Sequence, residues 1–298
     1  TGGVAVLAKP PVRKLAQSLG VDLAVLHGTG PRGTITRDDV QAAAAPAQRR
    51  PQAVPEPPEE PVAGYDPATR ERRIPVKGVR RLTAAAMVGS AFTAPHVTEF
   101  LTLDVTPTME LRDRVAALPE FRDVKVTPLL FVAKALLLAV KRHPDINSTF
   151  TDDEIIVKDY VNLGIAAATP RGLVVPNIKD ADRLDLLGLA TALQELTRTA
   201  KEGRTPPADM QHGTITITNV GMFGVDNGTP ILNPGESAIL CFGAVRPMPW
   251  VHEGQLAVRQ VTQLSLSFDH RNVDGQLGSQ FLADIGRVLS DPATALLM

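Results

Sequence analysis

A histidine and an aspartate four residues apart, His270 and Asp274, stand where the sequence pattern changes from a strand to a helix. Before them, apolar residues alternate and predict a strand with His270 in the inward phase; they are Leu264, Leu266 and Phe268. After them, every fourth residue is apolar and predicts a helix face; these are Leu277, Phe281, Ile285 and Leu289. An imidazole held there suits general base catalysis near pH 7. The alternative is a core histidine, with Asp274 only an N-cap.

The composition excludes several classes of protein. The chain has 298 residues, 44% of them hydrophobic, which allows a sizeable core and more than one domain. Its net charge of −1 gives no bulk attraction to nucleic acid or anionic membranes. The single cysteine, Cys241, is interpreted as a core thiol in a reducing compartment. The longest apolar stretch, residues 128–140, contains Lys134 and is shorter than the roughly 20 residues of a membrane span. We therefore expect a cytoplasmic protein.

Residues 1–45 are predicted to form a small all-α docking domain. A stripe of apolar residues at helical spacing runs from Pro10 and stops at Gly20. A second helix is predicted to follow Thr36, with Asp39 placed three residues on, as in a capping box. A unit of this size cannot hold a large core, which favours a role in docking.

The loop between these two helices, residues 28–33, matches the spacing Gly-x-Gly-x-x-Gly of dinucleotide sites. That match is weak because no apolar strand precedes the loop and Pro31 interrupts it. The basic residues of the docking segment exceed its acidic ones and leave a charge of +2; the basic ones are Lys9, Arg13, Lys14, Arg32 and Arg37. This excess suits contact with an acidic partner; a solvated basic surface is the alternative.

Residues 46–72 carry seven prolines among polar and small residues and are predicted to be a Pro-rich linker. In the polyproline form such a segment spans on the order of 80 Å. Residues 73–298 alternate helical and strand patterns in mixed order, with β-hairpins. That order predicts an α+β domain in which helices cover a mixed sheet.

The run His-Arg-Asn-Val-Asp-Gly at residues 270–275 resembles the signature His-x-x-x-Asp-Gly of the 2-oxo acid dehydrogenase acyltransferases and of their relative chloramphenicol acetyltransferase. The resemblance continues in register at residues 80–81, 94–96, 169–176, 213–219 and 229–234. It implies a chloramphenicol acetyltransferase-like catalytic domain and acyl transfer between dihydrolipoamide and coenzyme A. Residues 224–234 resemble branched-chain members, which favours a branched-chain complex; the alternatives are acetyl transfer in a pyruvate dehydrogenase complex, or a non-catalytic partner-binding scaffold.

The same resemblance implies roles for individual residues. His270 corresponds to the general base, and Thr218, which precedes Asn-x-Gly, corresponds to the hydroxyl that stabilises the oxyanion. Asp274 is expected to organise the site by pairing with Arg80 or Arg81. Three arginines are candidates for holding the phosphates of the co-substrate coenzyme A; they are Arg80, Arg81 and Arg171. His96 is a candidate for the acyl pocket, and the other histidines lack metal-ligand spacing, so no metal is expected.

The segment from residue 8 to residue 40 resembles the peripheral-subunit-binding domain of the same family. The expected partners are the 2-oxo acid decarboxylase (dehydrogenase) component and dihydrolipoamide dehydrogenase. Arg13 matches one partner-gripping arginine, but Thr34 stands where the family commonly has a second. The partner-binding candidates are therefore Arg13, Lys14, Arg32 and Arg37. The family also implies a homotrimer that assembles into a cage, and a lipoyl group carried on a domain that this chain lacks, so we expect the chain to begin inside a longer protein.

Overall fold

The structure, a computed structural model, describes residues 7–44, 64–169 and 172–298. By its internal contacts the chain divides into two compact units, Thr1–Ile74 and Pro75–Met298. Most of the predicted linker lies outside the described residues, and so does Arg171, one of the predicted coenzyme A contacts.

The first unit contains the two predicted helices, α1 (Pro10–Leu19) and α2 (Arg37–Ala44). α1 ends where Gly20 takes a left-handed conformation with φ of 67°. The predicted capping box precedes α2: the Thr36 N–H donates to Asp39 Oδ2 at 2.9 Å, and the Asp39 N–H donates to Thr36 Oγ1 at 3.3 Å. The buried core of these helices is small; it consists of Val12, Ala16, Ile35 and Val40. The described end of the predicted linker is folded: it forms a short antiparallel hairpin, β1 (Tyr65–Asp66) with β2 (Glu71–Arg72).

The second unit contains five longer helices and ten strands within its described residues. The helices are α3 (Gly78–Thr93), α4 (Thr106–Ala116), α5 (Pro128–Arg142), α6 (Leu186–Lys201) and α7 (Gly275–Ser290). The strands are β3 (His96–Asp104), β4 (Ser148–Phe150), β5 (Ile155–Val157), β6 (Leu163–Thr169), β7 (Gly172–Val174), β8 (Asn177–Ile178), β9 (Ile215–Asn219), β10 (Ala238–Phe242), β11 (Arg246–His252) and β12 (Gln255–Asp269).

Eight of these strands form one mixed sheet in the order β11-β12-β10-β9-β6-β7, with β3 paired to β12 and β8 paired to β6. β9 runs parallel to both β6 and β10, while the other pairs are antiparallel. β4 and β5 form a separate hairpin. The predicted α+β class with a mixed sheet is confirmed.

Helix α7 lies very close to strands β12 and β3 because glycines face them. A Cβ at Gly278 would stand 2.6 Å from Cε1 of Phe268, and one at Gly286 would stand 2.5 Å from Cδ2 of Leu101. Any larger side chain would therefore push α7 away from the sheet. This close packing fixes both ends of the turn that joins β12 to α7, which contains His270.

Helix α4 begins at Thr106 and is capped by the residues just before it. Asp104 supplies the oxygen, since its Oδ1 accepts hydrogen bonds from the Thr106 N–H at 2.8 Å and from the Thr106 hydroxyl at 2.6 Å. The β11–β12 hairpin turns at Glu253 and Gly254, and both residues have positive φ, as a tight hairpin requires.

Within the described ranges, no helix combines the length and hydropathy that crossing a membrane requires. In the same part of the chain, no three His, Cys, Asp or Glu side chains gather as a potential metal site.

Candidate active site

His270 is exposed, and the prediction that it faces inward is wrong. Strand β12 ends at Asp269, so the alternation that buries Leu266 and Phe268 stops one residue before the histidine. The His270 N–H donates to the Pro95 carbonyl oxygen at 2.9 Å, which fixes the main chain. Its imidazole lies 5.9 Å from the Phe268 ring, centroid to centroid, and has no hydrogen-bond partner among the described residues. The ring is thus presented to solvent from a well-held backbone.

The two residues that flank His270 bind each other, a contact that sequence reasoning missed. Asp269 is only 4% exposed, and Arg271 Nη2 lies 2.7 Å from its Oδ2. Arg271 Nε donates to both carboxylate oxygens, at 3.0 and 3.1 Å. The guanidinium also lies over the Phe150 ring, 4.3 Å from its centroid. The opposite charges at positions 269 and 271 were the available signal in the sequence.

Asp274 is the N-cap of α7, because its Oδ1 accepts a hydrogen bond from the Leu277 N–H at 2.8 Å. The predicted pairing with Arg80 or Arg81 is absent from the described part of the chain, where both arginines are exposed on the first turn of α3. The carboxylate instead satisfies the helix end, which was the alternative interpretation of the sequence. His270 and Asp274 line one cavity of about 450 Å³.

Thr218 lies half-buried on β9, in register with Ala166 on one side and Cys241 on the other. Its hydroxyl has no hydrogen-bond partner among the described residues, so it can donate to a substrate oxygen. Cys241 is in turn paired with Ser265 of β12. These side chains form one row on the same face of the sheet.

Thr218 and His270 are far apart within one chain. His270 lies five residues beyond Ser265, and Ser265 aligns with Thr218 across β10. Five residues of strand span about 17 Å, and two strand spacings add about 9.6 Å across the sheet. The two side chains therefore cannot meet the same reacting atoms in one subunit, since a hydrogen bond spans only about 3 Å.

A buried carboxyl group stands beside this row and was not identified from the sequence. Glu236 is 7% exposed; Thr216 Oγ1 donates to its Oε2 at 2.6 Å, and Asn233 Nδ2 donates to its Oε1 at 3.2 Å. Burial raises the pKa of Glu236 to about 7 despite both hydrogen bonds and the nearby Lys158 ammonium. The only signal in the sequence was an acidic residue just before the buried strand β10.

Two other side chains have structural roles. Cys241 is buried, as predicted, and burial raises the pKa of its thiol, which makes it a poor nucleophile. His96 was a candidate for the acyl pocket, but both of its ring nitrogens are engaged. Nδ1 lies 2.7 Å from the Ala94 carbonyl oxygen, and Nε2 accepts from the Leu232 N–H at 3.0 Å. His96 thereby joins the start of β3 to the loop before β10.

The four partner-binding candidates Arg13, Lys14, Arg32 and Arg37 are all exposed. Arg13 Nε donates to the Ala8 carbonyl oxygen at 3.0 Å, so this side chain is partly ordered at the surface. The hydroxyl of Thr34 donates to the Pro31 carbonyl oxygen at 2.6 Å and is therefore used within the loop.

The glycines of residues 28–33 are explained by the loop's own packing. A Cβ at Gly28 would lie 2.5 Å from the Gly33 carbonyl oxygen, and the Gly30 N–H donates to the Thr34 carbonyl oxygen at 2.9 Å. The glycines let the loop fold back on itself, as close backbone approach requires. This arrangement accounts for them without a dinucleotide.

Two family models match the chain. The model described as 2-oxoacid dehydrogenases acyltransferase (catalytic domain) matches residues 68–297, and the e3 binding domain model matches residues 6–41. The fold and these matches define an acyltransferase that carries a docking domain for a partner enzyme. The chain belongs to the 2-oxoacid dehydrogenase acyltransferase family.

Similar proteins agree with this assignment. The dihydrolipoyllysine-residue acetyltransferase component of the pyruvate dehydrogenase complex of Bacillus subtilis (strain 168) is 38% identical over 98% of this chain and 68% of its own length. The corresponding component of the acetoin cleaving system of the same organism is 39% identical over 97% of this chain and 70% of its own length. A crystal structure of Azotobacter vinelandii dihydrolipoamide acetyltransferase superposes with a TM-score of 0.73 at 33% identity, covering 80% of this chain and 99% of that one.

Proposed function

We propose that this protein transfers acetyl groups between dihydrolipoamide and coenzyme A, as a core subunit of a pyruvate dehydrogenase-type complex. The observation that carries the proposal is similarity along nearly the whole chain to acetyltransferase components of pyruvate and acetoin systems. The branched-chain interpretation depended on residues 224–234 alone. The relatives favour its alternative, acetyl transfer.

The Azotobacter vinelandii enzyme supports the assignment of the site. Its structure was solved in a study of the roles of one serine, one histidine and one asparagine in catalysis. The sequence intervals between those three residues equal the intervals between Thr218, His270 and Asp274. Thr218 of this chain stands at the place of the serine and has the same hydroxyl group. Asp274 stands at the place of the asparagine and, like it, has a side-chain oxygen that can cap a helix.

The reaction then uses the two side chains in sequence. The imidazole of His270 removes the proton from the thiol of coenzyme A, and the sulfur attacks the thioester carbonyl carbon of acetyl-dihydrolipoamide. The Thr218 hydroxyl donates a hydrogen bond to the oxyanion of the tetrahedral intermediate. The carbon–sulfur bond to dihydrolipoamide then breaks, and the departing sulfur takes the proton back from the imidazolium.

The site is completed by two subunits. The separation of Thr218 and His270 along the sheet, about 17 Å in the strand direction alone, argues that each subunit supplies one of them to a neighbour. The exposure of His270 supports the same arrangement, since a base on the surface is available to a second chain. A closed trimer gives every such interface the same pair of residues.

The N-terminal part would dock the peripheral enzymes. We assign residues 1–45 to docking of dihydrolipoamide dehydrogenase or the decarboxylase, residues 46–72 to a linker, and residues 73–298 to catalysis and cage assembly. The matches to the e3 binding domain and to the cubic core of the pyruvate dehydrogenase multienzyme complex, at a TM-score of 0.72 and 33% identity over 80% of this chain and 99% of that one, support this division. The lipoyl group would arrive on a separate domain.

A transfer assay tests the proposed function. Purified protein receives dihydrolipoamide with acetyl-, isobutyryl-, isovaleryl- or succinyl-coenzyme A, and kcat/KM is measured for each. Acetyl-coenzyme A is expected to give the highest value, and His270→Ala to abolish transfer while His252→Ala, an exposed histidine on the β11–β12 hairpin, leaves it intact. A preference for isobutyryl- or isovaleryl-coenzyme A would restore the branched-chain interpretation. No transfer with any substrate would favour a scaffold.

A further inference from the structure

The His270 imidazole is oriented by its backbone alone within the described chain, because neither ring nitrogen has a partner there. Its neighbours hold that backbone on both sides. The Asp269 N–H donates to the Ser237 carbonyl oxygen at 2.9 Å, and the Asp269 carbonyl oxygen accepts from the Val273 N–H at 3.0 Å. Anything that fixes residues 269–273 therefore fixes the base.

The side-chain pair Asp269–Arg271 closes this turn. The guanidinium and the carboxylate form two nearly parallel contacts, and the Arg271 backbone N–H donates to Asp269 Oδ1 at 3.1 Å. The residues before and after His270 are thus joined to each other, and the arginine is held from outside by the Phe150 ring. Two-pronged geometry and stacking are properties that lysine cannot reproduce.

The same pair controls the charge around His270. The titratable groups that face the turn or its Asp269–Arg271 pair lie on several packed elements; they are Asp145 before β4, Asp152 between β4 and β5, Glu99 and His96 on β3, Glu236 before β10, and Asp274 at the start of α7. The cavity next to His270 is lined by Asp145 and Asp274, and Arg271 is the only cation among its described lining residues. Without Arg271, the buried Asp269 carboxylate would add to these negative charges and favour the protonated imidazole.

We propose that Asp269 and Arg271 are positioning residues for His270: their pair holds the turn that carries the base, and the Arg271 charge compensates the Asp269 carboxylate beside the imidazole. The inference rests on the proposed function, because it assumes that His270 is the base. Neither residue is expected to touch the reacting atoms.

The test compares Arg271→Gln, Asp269→Asn and the double variant in the assembled protein. The two single changes leave opposite uncompensated charges. When kcat/KM is plotted against pH, the midpoint of the acidic limb should lie about half a pH unit higher in Arg271→Gln than in wild type. In Asp269→Asn it should lie lower by a similar amount. The double variant, which has neither charge, should return to the wild-type midpoint. Each single variant should lose about tenfold in kcat through misplacement of the base, with KM for coenzyme A changed less than twofold.

The matched control is Arg259→Gln. Arg259 pairs with the partly buried Asp104 at 2.6 Å, at the other end of the β3–β12 ladder, so its loss also leaves a carboxylate uncompensated but far from His270. This variant should keep the wild-type pH midpoint. If Arg271→Gln fails to fold, Arg271→Lys serves instead; it keeps the charge and should lower kcat without moving the midpoint.

A second measurement separates this inference from the proposed function. Carbethoxylation of His270 by diethyl pyrocarbonate, followed by peptide mass spectrometry, reports the neutral imidazole without any need for activity. The pH at which His270 becomes reactive should rise in Arg271→Gln and fall in Asp269→Asn. Unmoved midpoints in both variants, or a rise in KM for coenzyme A with unchanged kcat, would overturn the positioning role. If the wild type transfers no acetyl group but the pH dependence of His270 carbethoxylation still shifts in the variants, only the proposed function is refuted.

Discussion

Glu236 makes the stability of the catalytic domain depend on pH, and replacing it with glutamine tests the cause. Its pKa is raised from 4.5 to about 7 because the carboxyl group is buried. A raised pKa means that the native state binds the proton more tightly than the unfolded chain does. The stabilisation is therefore fully present below pH 4.5 and is lost as pH rises through about 7.

The size of the effect follows from the two pKa values. Relative to the protonated state, ionisation of Glu236 lowers the free energy of unfolding by about 1 kcal/mol at pH 5 and by about 3 kcal/mol at pH 8. Glutamine cannot ionise, although its amide NH₂ would oppose one of the donors, Thr216 or Asn233. That mismatch lowers the free energy of unfolding equally at every pH. The change in stability between pH 5 and pH 8 therefore reports the ionisation of Glu236 alone.

The assay is urea unfolding of wild type and Glu236→Gln at pH 5 and pH 8, at one protein concentration because the proposed assembly would make stability depend on concentration. Between pH 5 and pH 8 the free energy of unfolding of the variant should rise by about 2 kcal/mol relative to wild type. Glu110→Gln, at an exposed position on α4, is the matched control and should follow the wild type. Parallel stability curves for Glu236→Gln and wild type would refute the reasoning, because Glu236 would then not change its ionisation on folding.

Three further predictions follow from the same structure. Thr218→Val should lower kcat by about 10²–10³-fold with little change in KM, in the transfer assay, because the hydroxyl acts on the oxyanion; an unchanged kcat would assign Thr218 to the strand alone. Arg13→Glu should weaken binding of dihydrolipoamide dehydrogenase in calorimetry, most strongly at low salt, and equal binding would remove Arg13 from the contact. Phe281→Ala should cost about 3–5 kcal/mol in urea unfolding, since this ring of α7 is fully buried and packs edge-on against the His143 ring, 6.4 Å between centroids; a cost below about 1 kcal/mol would contradict that packing.

Periodicity in the sequence was enough to predict most of the fold. The alternation before His270 and the fourfold spacing after it are local patterns, and the structure has β12 and α7 at those places. The capping box at Thr36 and Asp39 is equally local, because its two partners are three residues apart. Such features depend on neighbours in the chain, which the sequence displays directly.

The errors and omissions at the site have a different origin. The inward orientation of His270 depended on β12 continuing one residue further than it does, and strand ends are the least certain part of a pattern. The Glu236 cluster joins residues from β9 and from the loop before β10, and the Arg271 stack involves Phe150 from a separate hairpin. Contacts between residues distant in the chain leave no periodic signal.

The central claim is that one subunit supplies His270 and its neighbour supplies Thr218. Chains carrying His270→Ala and chains carrying Thr218→Val are coexpressed in equal amounts with different tags, and all assembled protein is purified together, with the two tags confirming that both chains are present in equal amounts. If the site is shared, an intact pair forms wherever the Thr218→Val chain contributes the histidine and the His270→Ala chain contributes the threonine. Under random cyclic assembly this occurs at roughly one interface in four. Acetyl transfer should recover to about that fraction of wild type, whereas mixed assemblies as inactive as either parent would contradict a site shared between subunits.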